Sequence, residues 1–350
     1  MSSRSRRVVT FTGPHEVTVV EEALDDPGPQ EVRVRTQFSA VSPGTETLLY
    51  RNQAPPGALD PTIDALQGDV RYPVRYGYAA VGRVEAVGGD VPHQWKDRRV
   101  FAFHPHASAF NASPDTLVPL PDAVSTRDAV FIPNLETAVN LLMDGGPGIG
   151  ERVVVFGQGV VGLLVTSLLS RYPTSQCLTV EPDGRRRGLS RTRGADRVFD
   201  AEALDELRSV LGISRVDAVD AAGGTYEGAD LVYELTGRPD VLNDALAVTG
   251  FDGRIVVGSW YGTRRAPVDL GARFHRSRIR IVSSQVSTIA PAHRGRWSKE
   301  RRMQTVLNLL PSVQPSALIT EVRDVEDAPS VYAELAGGEG APLQPVFAYS

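Results

Sequence analysis

An α/β fold, with a doubly wound parallel sheet and a second, β-rich domain, is what this sequence predicts, and three observations carry that expectation. A short apolar run, Val153-Val154-Val155-Phe156, leads directly into Gly157-Gln158-Gly159-Val160-Val161-Gly162. A second run, Cys177-Leu178-Thr179-Val180, ends in Glu181, about 20 residues past that glycine turn. Strand-like and helix-like stretches alternate beyond Ala123, whereas the chain before Pro121 is strand-rich and broken by Gly and Pro.

The run 153–156 reads as a buried strand, because consecutive β-branched residues suit a parallel sheet covered on both faces. Residues 160–169 hold no Pro and are mostly apolar, so they read as a helix. A tight turn at Gly157, Gly159 and Gly162 aims the first N–H groups of that helix, at Val160 and Val161, over the strand end. That is an anion site suited to a pyrophosphate. Glu181 falls where such a fold places an acid for the adenosine ribose. Strand, turn, helix, strand and acid in this order imply a nicotinamide-dinucleotide site on a Rossmann sheet; the alternative is a glycine-rich turn that only packs.

Taken in order, residues 17–21, 31–37, 82–87 and 99–103 alternate or carry short β-branched runs bounded by turn residues, and are expected as strands. Residues 135–143 look helical. Residues 216–219, 231–235, 254–257 and 280–283 read as further strands of the cofactor sheet, with a helix over 241–248. A basic helix (297–310), a strand (318–323), a helix (325–335) and a final strand (345–349) close the chain. The dinucleotide domain is expected over 126–292, inserted into a β-rich domain formed by 1–125 and 293–350.

The length of 350 residues exceeds what one core usually serves. Hydrophobic content of 41%, charged content of 23% and a net charge of −5 are ordinary for a globular chain and do not suggest a nucleic-acid binder. No secretion signal and no run of 18 apolar residues is present, so no membrane partner is expected and the cytoplasm follows by default. The single cysteine, Cys177, excludes an intrachain disulfide and is expected to be a buried bystander.

Four local patterns point further: Pro43-Gly44-Thr45-Glu46; Gly77-Tyr78-Ala79-Ala80-Val81-Gly82; the fingerprint 157–162; and Tyr233-Glu234-Leu235-Thr236-Gly237 with Gly253-Arg254-Ile255-Val256-Val257-Gly258. In this order they resemble the medium-chain dehydrogenase/reductase superfamily over nearly the whole chain. The resemblance implies a GroES-like catalytic domain beside the Rossmann domain and a homodimer paired through the edge of the cofactor sheet. It also implies that Thr236, Gly258, Ser259, Ser284 and Gln285 line the cofactor. Family alcohol dehydrogenases hold a catalytic zinc at positions matching Pro43, Tyr78 and Pro133. Neither proline has a side-chain donor and phenolate is not a usual zinc ligand, so a zinc-independent member is expected. The segments 42–46 and 77–78 look most like the branch that includes bacteriochlorophyllide a dehydrogenase.

Without a Lewis acid, another group must handle the hydroxyl proton of an alcohol. The resemblance puts Thr45, Tyr78 and His104 near that chemistry, with His104 expected to titrate in the useful range. His106 is expected to be ordinary, and Glu46 to make a structural ion pair. The leading expectation is NAD-dependent interconversion of a secondary alcohol and a ketone. Its rivals are NADPH-dependent reduction of an enone or quinone, and a dinucleotide-binding protein without turnover. Glu181 favours NAD, whereas Arg185, Arg186 and Arg187 leave NADP open, Arg186 matching a position where a cation contacts the ribose. Between Arg264 and Arg302 eleven Arg or Lys face only Asp269 and Glu300, a local charge of +9. Such a segment attracts an anionic small-molecule substrate or forms a solvated face.

Overall fold

Alternating polar and apolar residues build the N-terminal part as strands joined by short helices. The computed structural model describes residues 4–57, 63–66, 68–213, 227–338 and 340–349. Strands β1 (Arg4–Gly13) and β2 (Glu16–Leu24) form a hairpin, followed by β3 (Val32–Ala40), helix α1 (Pro43–Tyr50) and β4 (Ala80–Val87). Then come β5 (Arg99–Ala102), β6 (Ala109–Ala112), β7 (Leu117–Pro119) and α2 (Thr126–Ala129). The alternating part runs α3 (Ile132–Gly145), β8 (Arg152–Phe156), α4 (Val160–Leu169), β9 (Gln176–Val180), α5 (Gly184–Thr192) and β10 (Arg197–Phe199). It continues with α6 (Leu204–Val210), β11 (Ala229–Glu234), α7 (Val241–Val248), β12 (Thr249–Val257) and β13 (Arg280–Ser283). Helix α8 (Lys299–Val313), β14 (Glu321–Asp324), α9 (Ala328–Gly337) and β15 (Pro345–Ala348) end the chain.

Two units result, one formed by Met1–Pro133 with Leu307–Ser350 and the other by Asn134–Val306. In the first, a seven-stranded sheet runs β14-β15-β3-β4-β5-β7, with β6 also paired to β3. Its cores gather Phe11, Leu48, Leu49, Tyr332 and Phe347 in one cluster, and Val32, Val84, Val100 and Phe110 in a second.

In the second unit six parallel strands lie in the order β10-β9-β8-β11-β12-β13. Numbered within the unit that is 3-2-1-4-5-6, the order of a doubly wound dinucleotide fold, as the glycine fingerprint predicts. Helix α4 is mostly apolar and buries every residue but Val161, including Thr166 and Ser167, as a helix covered by a sheet does. The register pairs Val180 with Phe156, Phe156 with Glu234, Glu234 with Val257, and Val257 with Ser283. The carboxyl ends of β9, β8, β11, β12 and β13 therefore finish in one row. The strand expected over 216–219 lies outside the described residues. Helices α1, α5 and α6 and the short strands β6, β7 and β10 were not expected. Among the described residues no helix is long and apolar enough to cross a membrane.

Candidate functional site

At the carboxyl edge of the parallel sheet the ladder continues one residue past the strands. Gly157 N–H donates to Val180 O (2.9 Å), Leu235 N–H to Phe156 O (2.9 Å), Gly258 N–H to Glu234 O (3.0 Å) and Ser284 N–H to Val257 O (2.9 Å). Each glycine of the fingerprint then has its own steric reason. Gly157 has φ 88°, and a Cβ there would lie 2.8 Å from the Leu235 carbonyl carbon. A Cβ on Gly162 would lie 2.0 Å from Gly157 O, so only hydrogen lets α4 lie this close to the turn. At Gly159, the N-cap of α4, a Cβ would meet nothing within 4 Å, and no side chain caps the helix. The open N-terminus of α4, with the N–H groups of Val160, Val161 and Gly162, is the cradle a pyrophosphate needs.

Glu181 is 5% exposed, and its carboxylate accepts from Gln158 N–H (2.7 Å) and Asp183 N–H (3.1 Å). One bond per oxygen leaves lone pairs for the two hydroxyls of a ribose. Beside it, Arg185 pairs with Asp183 (3.3 Å) and Arg187 with Asp200 (2.6 Å), while the half-buried Arg186 guanidinium has no partner among the described residues. At the next strand end the buried Glu234 carboxylate accepts from Thr236 N–H (2.8 Å), the Thr236 hydroxyl and Tyr261 OH (2.5 Å). Ser259 Oγ accepts from Gly237 N–H (2.8 Å), and a Cβ on Gly258 would lie 2.6 Å from Leu235 Cδ2. Gln285 folds its amide oxygen onto Ser287 N–H (2.5 Å). The unit carries the residues expected from the sequence to line a cofactor, in the turns and segments at or just past the carboxyl ends of its parallel strands. The Glu234–Tyr261 pair escaped the sequence reading, since nothing in a strand end marks an acid as buried.

In the first unit Tyr78 OH donates to Ser42 Oγ and lies 3.5 Å from Thr45 Oγ1. Burial pushes the Tyr78 phenol above its ordinary range, so it serves as a hydrogen-bonding group rather than a base. Ser42 N–H in turn donates to Glu46 Oε1 (2.7 Å). Glu46 and His106 are fully buried with Glu46 Oε2 3.0 Å from His106 Nε2, a partner the sequence reading did not name; Tyr332 OH also donates to Glu46. His106 Nδ1 lies 2.6 Å from Ser39 Oγ, itself 2.7 Å from Tyr349 OH. Gly77, at φ 125°, makes room for that imidazole, whose Cδ2 would lie 2.7 Å from a Cβ.

His104 stands apart from this network. Its ring stacks on Phe110 (centroids 3.8 Å apart, planes at 12°) and its Nδ1 lies 2.8 Å from Pro105 O. A carbonyl only accepts, so Nδ1 carries the proton and Nε2 is an acceptor without a partner among the described residues. Burial lowers its pKa to about 4. The expectation that it titrates near neutrality is thereby corrected: the stacked, desolvated ring is neutral there.

Pro43 and Pro133 offer no side-chain ligand, and among the described residues no group of three or more His, Cys, Asp or Glu can hold a metal ion. Cys177 is buried and its thiol is pushed up to about 12 by desolvation, an inert bystander as expected. Of the eleven cations between Arg264 and Arg302, Arg273 and Arg302 are buried, and Arg278 and Arg280 approach Asp252 at 3.9 and 4.0 Å.

No protein-family model matches the chain. It is similar to D-guloside 3-dehydrogenase of Escherichia coli (strain K12), 25% identical over 298 residues that cover 80% of this chain and 81% of that protein. A short chain alcohol dehydrogenase of E. coli CFT073 complexed with cofactor NADH superposes with a TM-score of 0.77 at 17% identity, covering 99% of this chain and 100% of that one. A putative zinc-binding dehydrogenase of Sinorhizobium meliloti 1021 bound to NADP gives 0.75 at 16% identity, covering 99% of each chain. These relatives and structural neighbours are dehydrogenases of the medium-chain type, and this chain has their fold.

Proposed function

We propose that this chain is an NAD-dependent dehydrogenase that interconverts a secondary alcohol and a ketone without a catalytic zinc. The observation that carries the reading is the carboxyl edge of the parallel sheet. There an uncapped helix N-terminus at Gly159, tight glycines at Gly157 and Gly162, and the buried carboxylate of Glu181 follow one another in the order a dinucleotide requires. A dinucleotide held there would supply the hydride acceptor for the carbinol carbon. The N–H groups at the N-terminus of α4, those of Val160, Val161 and Gly162, hold the pyrophosphate. Glu181 accepts the ribose hydroxyls and repels a 2′-phosphate, which selects NAD over NADP even with Arg186 nearby.

The hydroxyls of Tyr78, Ser42 and Thr45 orient the substrate oxygen by hydrogen bonding. Nε2 of His104, without a partner among the described residues, is the acceptor toward which the hydroxyl proton is directed, a weak base because burial lowers its pKa to about 4. The D-guloside relative supports a polyhydroxylated substrate. The exposed members of the basic segment, Arg265, Arg276 and Arg296 among them, support an anionic one. We further propose a homodimer paired through β13.

The test is oxidation of glycosides, polyols and their acidic derivatives, followed by formation of reduced nicotinamide with NAD and with NADP, alongside elemental analysis. Turnover with NAD and no stoichiometric zinc is the expected result. Activity restricted to enones or quinones with NADPH, or one zinc per chain, overturns it.

A further inference from the structure

Helix α8 presents Arg302, Val306, Leu310 and Val313 along one buried face, so an arginine stands where the helical stripe calls for an apolar side chain. Arg302 is 1% exposed. Taking a guanidinium out of water costs several kcal/mol unless every donor is met. Here they are met by two groups of acceptors. From α3, Glu136 Oε1 lies 3.1 Å from Nε and 3.0 Å from Nη2, and Asn140 Oδ1 lies 2.5 Å from Nη1. From the segment that leaves β13, Val286 O lies 2.5 Å from Nη2 and Thr288 O lies 3.3 Å from Nη1.

Asn140 extends the clamp: its amide nitrogen donates to Ser284 Oγ (3.0 Å) and Asp144 Oδ2 (2.8 Å), and Ser284 Oγ donates to Asp144 Oδ2 (2.6 Å). Residues 284–288 have no regular ladder of their own, yet they begin in the row of strand ends that also contains Gly157, Leu235 and Gly258. Their conformation is set by side chains reaching out of α3 and α8. An apolar residue would fill the stripe on α8 but leave the carbonyls of Val286 and Thr288 without this donor.

We infer that Arg302 is a positioning residue that holds residues 284–288 in the form that receives the nicotinamide end of the dinucleotide. This rests on the dinucleotide reading above. It assigns Arg302 a role distinct from the groups at Gly159 and Glu181, which meet the pyrophosphate and the adenosine ribose.

The two ends are separated by comparing NADH with ADP-ribose, which lacks the nicotinamide. Arg302→Lys keeps the charge but cannot span both carbonyls and Glu136; Glu136→Gln keeps an acceptor and removes the charge partner. Affinities are measured by titration calorimetry on the folded variants, with circular dichroism as the check of folding. For Arg302→Lys the dissociation constant of NADH is expected to rise about tenfold, the worth of a lost hydrogen bond or two, while that of ADP-ribose stays within about twofold. Glu136→Gln is expected to shift in the same direction by about threefold, and carries the test if Arg302→Lys does not fold. Equal weakening of both ligands, or of neither, overturns the positioning role and leaves the dinucleotide site standing. Failure of the wild-type protein to retain either ligand overturns both.

Discussion

Hydrogen is the functional side chain at Gly162. A methyl group there would sit 2.0 Å from Gly157 O, a backbone atom that can move only by opening the turn. Gly162→Ala is therefore expected to destabilise the protein by about 2 kcal/mol and to weaken NADH binding by tenfold or more. Urea unfolding and fluorescence titration check the two effects; unchanged binding would show that the turn is only a packing device. His104 makes a prediction of a different kind. The unfolded ring titrates near 6.5, whereas burial holds the folded ring's pKa at about 4. Between these values the unfolded state binds the extra proton, so this group's contribution is complete above pH 6.5 and is lost as the pH falls toward 4. Replacing His104 with Gln is expected to reduce the loss of stability over that window by about 2 kcal/mol, read as a shallower fall in melting temperature. An equally steep fall in the variant would contradict the desolvated ring. The glycines were legible because their spacing is itself the signal. The state of His104 was not, because the Phe110 ring that stacks on it comes from β6, past the loop that carries His104, and no local pattern announces it.

Elements with a strong period or an unbroken β-branched run were readable before any coordinates: α4 and β13 match the expected spans, and β8, β9, β11 and β12 differ only at their ends. Helix α5 was not. Gly184-Arg185-Arg186-Arg187-Gly188 carries no apolar stripe and two glycines, so propensity argues against it. What starts it is Asp183, whose Oδ1 accepts from Arg185 N–H (2.8 Å) and Arg186 N–H (3.1 Å). Burial pushes the Asp183 carboxyl up, but these bonds and the Arg185 charge outweigh it and hold the pKa below its ordinary value. Asp183→Ala is expected to cost about 1 kcal/mol near neutral pH, in line with the loss of an N-cap. The cost should vanish as the wild-type carboxylate becomes protonated in acid, and urea unfolding at both pH values is the check. Because α5 also orients Arg186, a weaker preference between NAD and NADP is expected alongside. Helix α8 taught the complementary lesson. Counting charges grouped Arg302 with ten other cations, whereas its place on the helical stripe, four residues before Val306, already marked it as buried.

The whole molecule is expected to be larger than one chain, and β13 is the reason. It pairs with β12 along one edge and is the outermost strand of the six-stranded sheet; all four of its residues are exposed, including Ile281 and Val282 at 38% each. A flat apolar edge strand left bare invites pairing with another chain, and proteins that stay single blunt such edges with charge, proline or a covering loop. Arg280 is the only charge on β13, at its start, and it leans onto Asp252 O (3.1 Å), which leaves the apolar middle unguarded. A two-fold axis through the middle of β13 would set two copies antiparallel, with Ile281 of each opposite Val282 of the other, the closed contact that limits assembly to a pair. Sedimentation equilibrium at micromolar concentration is then expected to return twice the mass of one chain. In the double variant Ile281→Lys, Val282→Lys, like charges would face each other across the pairing edge. The mass is expected to halve while the protomer's unfolding changes by no more than about 0.5 kcal/mol, because both side chains are already half in water. A wild-type protein that sediments as one chain would leave the exposed edge without a partner and refute the dimer. A double variant that stays paired would move the interface elsewhere, to a surface that this strand does not reach.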